Sequence, residues 1–124
     1  MGPSFLSPEA VLCIHDKVIK HDPSSQDGIL SEDNLLSAIG AVESFFCYTE
    51  ADDYSVAAAY AFHISTSHAF IDGNKRTGLI ACMDFLRLNG YPTQHYDDDA
   101  LDAHMVALNV HKTTRADFAR FLRG

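Results

Sequence analysis

Apolar residues recur every three or four positions through most of the chain, and no long stretch alternates them with polar residues at the two-residue period of a strand. Ser7-Pro8-Glu9 sets an N-cap residue before a proline at the first helical position and an acid in the first turn. A helix is therefore predicted from about 8 to 20. Val11, Ile14 and Val18 form its stripe, flanked by Leu12 and Ile19, and Asp22-Pro23-Ser24-Ser25 ends it. A second helix is expected to begin at Ser31, with Glu32 and Asp33 suited to the positive end of the dipole and with Leu35, Leu36, Ile39 and Val42 facing inward. Gly40 leaves its far end open.

The segment from Asp53 to about Ser67 is alanine-rich and almost wholly apolar, the pattern of a helix buried on most sides at the centre of a domain. A break at His68 to Gly73 precedes a helix from about Asn74 to Leu88, with Leu79, Met83 and Leu86 on one stripe. Asn89-Gly90 and then Pro92 stop it. Asp97 or Asp98 caps a helix carrying Leu101, Met105 and Leu108. Thr114, with Asp117 three residues on, reads as a capping box for a last helix carrying Phe118 and Phe121. The expected fold class is all-α, a compact single-domain bundle over residues 1–124.

Composition narrows the picture. With 124 residues, 47% hydrophobic and 21% charged, the chain has the size and balance to bury one core. No apolar run approaches the roughly 18 residues that span a bilayer, and the amino terminus has no basic stretch leading into an apolar one. No membrane partner and a cytoplasmic location are expected. Cys13, Cys47 and Cys82 are odd in number, far apart and set among apolar neighbours, so they are expected to be buried free thiols. A formal net charge of −8 disfavours direct binding to nucleic acid.

The chemistry concentrates in His68-Ala69-Phe70-Ile71-Asp72-Gly73-Asn74-Lys75-Arg76-Thr77, between the two clearest helices. Gly73 allows a turn with positive φ and a close approach of ligand to backbone, while the residues after it open a helix whose free N–H groups attract an anion. Lys75 and Arg76 in that first turn oppose the helix dipole, a conflict that an incoming phosphate resolves. Asp72 beside a phosphate makes chemical sense as a hard oxygen ligand to a bridging Mg²⁺. His68, whose side-chain class titrates near neutrality, can take a proton from an attacking hydroxyl as general base. Phe70 is expected to anchor the loop in the core. Singly, each of these residues has an ordinary structural explanation; the argument rests on a base, a carboxylate, a glycine and two cations within nine residues at a helix start.

The same string resembles the signature of the Fic/Doc family, in which a histidine, a phenylalanine, an acid and a Gly-Asn loop precede a basic helix. The Ser-Pro-Glu opening, the Gly-Ile-Leu-Ser stretch from Gly28, the alanine-rich helix and Phe85-Leu86-Arg87-Leu88-Asn89-Gly90-Tyr91 extend the resemblance toward the compact death-on-curing (Doc) branch. The resemblance implies a Fic/Doc-type helical bundle, with His68 as base, Asp72 as Mg²⁺ ligand, Gly73 and Asn74 as anion hole and Arg76 as phosphate holder. Where the larger Fic branch has a second glycine and a further arginine, this chain has Lys75 and Leu79. Lys75 crowds the inner-phosphate position of adenylyl-transferring relatives, and its ammonium is expected to meet the terminal phosphates instead, as a catalytic group. Both departures resemble the Doc branch, which implies an ATP-dependent protein kinase, a toxin acting on translation elongation factor Tu. Ala69, where many relatives have proline, touches none of these groups. The family's inhibitory string, a Ser or Thr followed four residues later by Glu and then Gly or Asn, is not found, so a separately encoded antitoxin is the expected control.

Two rivals stand beside this reading: an adenylyl transferase on the same fold, and a catalytically weak module that binds an antitoxin. Other features have plainer explanations. On a helix His63 lies roughly 140° from His68, unsuited to a shared metal, and is expected to pack in the core. Asp97-Asp98-Asp99 lacks the spacing of a calcium loop and fits a helix start. His15, His21, His95, His104 and His111 are dispersed and form no zinc motif, and Tyr54, Tyr60 and Phe62 are expected to be core.

Overall fold

The computed structural model describes residues 2–124. Six helices follow one another: α1 (Pro8–His21), α2 (Glu32–Thr49), α3 (Asp53–Ser65), α4 (Asn74–Leu88), α5 (Asp98–Asn109) and α6 (Arg115–Arg123). Among the described residues the only β pairing is a single antiparallel bridge between Ile29 and Phe70. The fold is all-α, as the periodicity predicts.

Local chemistry accounts for the starts. The side chains of Ser7, Ser31, Asp52, Asp97 and Thr114 each accept a hydrogen bond from a backbone N–H of the first turn they cap, an arrangement worth about 1 kcal/mol per helix. Asp97, rather than Asp98, is the cap of α5. Only half of the expected capping box forms at α6: Thr114 caps the Asp117 N–H, but the Asp117 carboxylate turns to Arg120 at 3.0 Å. At the end of α4, Gly90 takes a φ of +90° and the Tyr91 N–H donates to the Leu86 carbonyl, so Asn89-Gly90 is a true helix stop.

α3 is the central element, in contact with α2, α4, α5 and α6. Its residues Val56 to Ala61 are all buried, because alanines on successive faces let several helices approach at once. The closest approach is that of α4: a Cβ at Gly78 would stand 2.9 Å from the Ala61 carbonyl oxygen, so only glycine permits this packing. α1 closes over α4, and Val11, Ile14, Leu79, Met83, Leu86, Leu101, Leu108 and Phe118 join one continuous core. Tyr60 is fully buried, while Tyr54, Phe62 and Phe121 pack at its edge.

Two expectations are corrected. Leu36 is 47% exposed, because α2 lies at the rim and buries only the stripe of Leu35, Ala38, Ile39 and Val42; one residue on from Leu35 the helix has already turned outward. Of the three thiols only Cys82 is buried, and burial pushes its pKa up. Cys13 and Cys47 lie off the buried stripes of α1 and α2 and are exposed.

Candidate functional site

Between α3 and α4 the chain makes a loop that reaches the surface at His68 and returns at Gly73. Ser67 closes the end of α3, its hydroxyl donating to the Ile64 carbonyl and accepting from the Ala69 N–H. His68 then takes the left-handed conformation, with φ +54°, which a residue with a Cβ adopts at a cost. The next residues are tied to the segment before α2: the Leu30 and Ser31 N–H groups donate to the Ala69 carbonyl, and the Ile71 N–H donates to the Gly28 carbonyl. With Phe70 buried beneath, both neighbours of His68 along the chain are fixed while its imidazole stands exposed.

The return of the loop is fixed from within. The Asn74 side chain accepts from the Phe70 N–H at 3.1 Å and donates to the Phe70 carbonyl at 2.9 Å, which braces the loop. Its backbone N–H belongs to the open start of α4. Gly73, at φ +87°, is the N-cap of α4 and supplies no side chain, so among the described residues α4 is the one helix whose first turn carries no side-chain cap. Thr77 is the first residue to donate back, to the Gly73 carbonyl. The N–H groups ahead of it make no backbone bond within α4, and the positive end of a 15-residue helix lies behind them, an arrangement that can attract an anion.

All six residues singled out from the sequence, His68, Asp72, Gly73, Asn74, Lys75 and Arg76, line one cleft of about 620 Å³ between the start of α4 and α5. The structure adds neighbours that the sequence did not point to. Asp22, Ser25, Ser65 and Asn109 add polar groups to the lining of the cleft, and Met105 and Val106 add apolar ones. Arg76 faces Asp102 of α5 at 3.8 Å, an exposed and therefore weak pair that partly relieves the dipole conflict. Asp72 holds its Oδ2 against the Gln26 N–H at 2.8 Å, and among the described residues its Oδ1 has no partner. Asp22 is fixed by the Ser24 and Ser25 hydroxyls, and the Ser24 bond foremost holds its carboxyl below the ordinary range. No group of three or more His, Cys, Asp or Glu among the described residues converges on a point, so a metal here would need ligands from something bound. That is how Mg²⁺ ordinarily sits, on one or two carboxylates plus phosphate oxygens and waters. With two cations against three carboxylates in the cleft, a polyphosphate also needs the added positive charge.

His63 points elsewhere. Its Nε2 accepts from Arg115 of α6 at 3.0 Å, and the guanidinium also lies 3.9 Å above the Phe45 ring. Burial, and then the Arg115 charge, lowers its pKa. No helix is long and apolar enough to cross a membrane among the described residues.

Comparison with known proteins follows the same line. A profile described as the Fic/DOC family matches residues 5–86. The chain is also 34% identical over 86 residues to the protein named Protein kinase doc of Escherichia phage P1, a stretch covering 68% of each chain.

Proposed function

The chain belongs to the Fic/DOC family, and from that membership we propose that it is a Doc-type toxin, an ATP-dependent kinase that phosphorylates a Ser or Thr hydroxyl of a target protein in the cytoplasm. The observation that carries this reading is Lys75. It is exposed at the uncapped start of α4, in the cleft that also holds His68. An ammonium there meets terminal phosphates, where charge develops as the γ-phosphoryl group leaves.

In the proposed reaction His68 takes the proton of the target hydroxyl as the hydroxyl oxygen bonds to the γ-phosphorus. The bond from that phosphorus to the bridging oxygen breaks, and ADP carries the electron pair away. The backbone N–H groups at Gly73, Asn74 and Lys75 hold phosphate oxygens, and Arg76 adds a fork of donors in ground state and transition state alike. Asp72, through its free Oδ1, is the residue that would hold Mg²⁺, which when bound offsets phosphate charge. Translation elongation factor Tu is the proposed target, and a separately encoded antitoxin the proposed partner, laying an amphipathic segment beside His68.

The test is transfer from ATP labelled at either end. Wild-type protein with Mg-ATP is expected to label its target from the γ-phosphate, with Lys75→Ala slower by about 10²-fold or more. Lys75→Gly should lose γ-transfer equally while opening room for some adenylyl transfer. Label arriving only from the α-phosphate would make the protein an adenylyl transferase. No binding of Mg-ATP at all would leave an antitoxin-binding module.

A further inference from the structure

His15 is a histidine of α1 that the proposed reaction does not use, yet it is 4% exposed and lies directly beneath the phosphate loop. Its ring stacks flat on Phe70, with centroids 3.7 Å apart and planes 8° from parallel. Its Nε2 is 2.8 Å from the carbonyl oxygen of Asp72. A carbonyl only accepts, so Nε2 carries the proton and donates it. A Cβ at Gly73 would lie 3.5 Å from His15 Cδ2 and 3.2 Å from Val18 Cγ1, so the same face of α1 floors the glycine as well.

Packing alone does not require this arrangement, because any apolar side chain would cover Phe70. The N–H bond falls on the peptide group joining Asp72 to Gly73. In a trans peptide the C=O and N–H point in opposite directions, so drawing the Asp72 oxygen toward α1 aims the Gly73 N–H away from it. Gly73 lacks a Cβ and could tolerate that peptide turned over. We infer that His15 is a positioning residue: its Nε2–H locks the Asp72–Gly73 peptide so that the Gly73 N–H faces outward and joins the α4 start as a phosphate donor, and it holds the base of the Asp72 side chain in register. The inference rests on the proposed phosphate role of the loop for its consequence, but the clamp itself is made by the chain's own atoms.

The experiment uses the full chain at a temperature where every variant is folded by circular dichroism. In wild-type protein, ¹⁵N-histidine spectra should show His15 with its proton on Nε2; a proton on Nδ1 alone overturns the proposal without any variant. His15→Phe keeps a stacking ring and removes the donor, whereas His15→Gln restores a donor without the ring. For His15→Phe the Gly73 amide resonance should move and Mg-ATP should bind about tenfold more weakly by calorimetry, the loss of one oriented donor to phosphate. His15→Gln should bind within about threefold of wild type. Unchanged ATP affinity and an unmoved Gly73 amide in His15→Phe would refute the clamp. If the wild type binds no Mg-ATP, the kinase reading falls instead, and the tautomer and the Gly73 amide still decide the clamp.

Discussion

His68 combines exposure with a conformation that costs energy. A residue with a Cβ at φ +54° is disfavoured by about 1 kcal/mol relative to glycine, and the exposed His68 side chain is no part of the buried core. Stability and activity should therefore separate at this position. His68→Gly is expected to keep or slightly raise the thermal midpoint, and both His68→Gly and His68→Ala should cut transfer by about 10²–10⁴-fold. Calorimetric scanning beside a γ-transfer assay checks both. Transfer at wild-type rates in either variant would remove His68 as the base. That these residues would meet in one cleft was readable in the sequence, because glycine, carboxylate, cations and imidazole sit within one short string. The carbonyl partner of His15 was not, since it lies 57 residues away and no local spacing marks it.

Among the elements, the junction of α3 and α4 depends on Gly78. Gly78→Ala improves intrinsic helix propensity by roughly 1 kcal/mol. The added methyl would nevertheless meet the Ala61 carbonyl oxygen at 2.9 Å and the Ser65 nitrogen at 3.0 Å, backbone atoms that cannot turn aside. Overpacking should win, with a net destabilisation of about 1–3 kcal/mol in chemical denaturation. An unchanged or raised midpoint would show that the helices separate freely. The junction of α3 with α6 has a pH signature. His63 accepts from Arg115 and its pKa is lowered by burial, so the unfolded chain binds the proton more readily than the folded one. The contribution of His63 is then fully present above its unfolded pKa of about 6.5 and is lost as pH falls through the lower folded value. Denaturation midpoints should drop below about pH 6.5 in the wild type and drop less in His63→Gln, measured under matched conditions.

At the scale of the whole molecule, one core brings α4 and α5 to opposite sides of a cleft that already holds every group the proposed reaction needs from the chain. No inhibitory string occupies the sequence. Expression of the chain alone should therefore arrest growth of a bacterial host, expression of the His68→Ala variant should not, and a co-expressed antitoxin should restore growth. Harmless expression of protein shown to phosphorylate its target in vitro would refute self-sufficient activity.

The sequence by itself determined the six helices, all their starts and the ends of α1, α3 and α4 to within a residue or two, because periodicity, caps and stop signals act over four or five residues and are written locally. It also marked the loop on which the proposed chemistry rests. Only the tertiary structure decided which side of α2 faces water, that two of the three thiols are exposed, that Arg76 meets Asp102 and that Gln26 holds Asp72. These depend on where separate helices come to rest against α3, and that is set by the summed burial of one core rather than by any spacing along the chain.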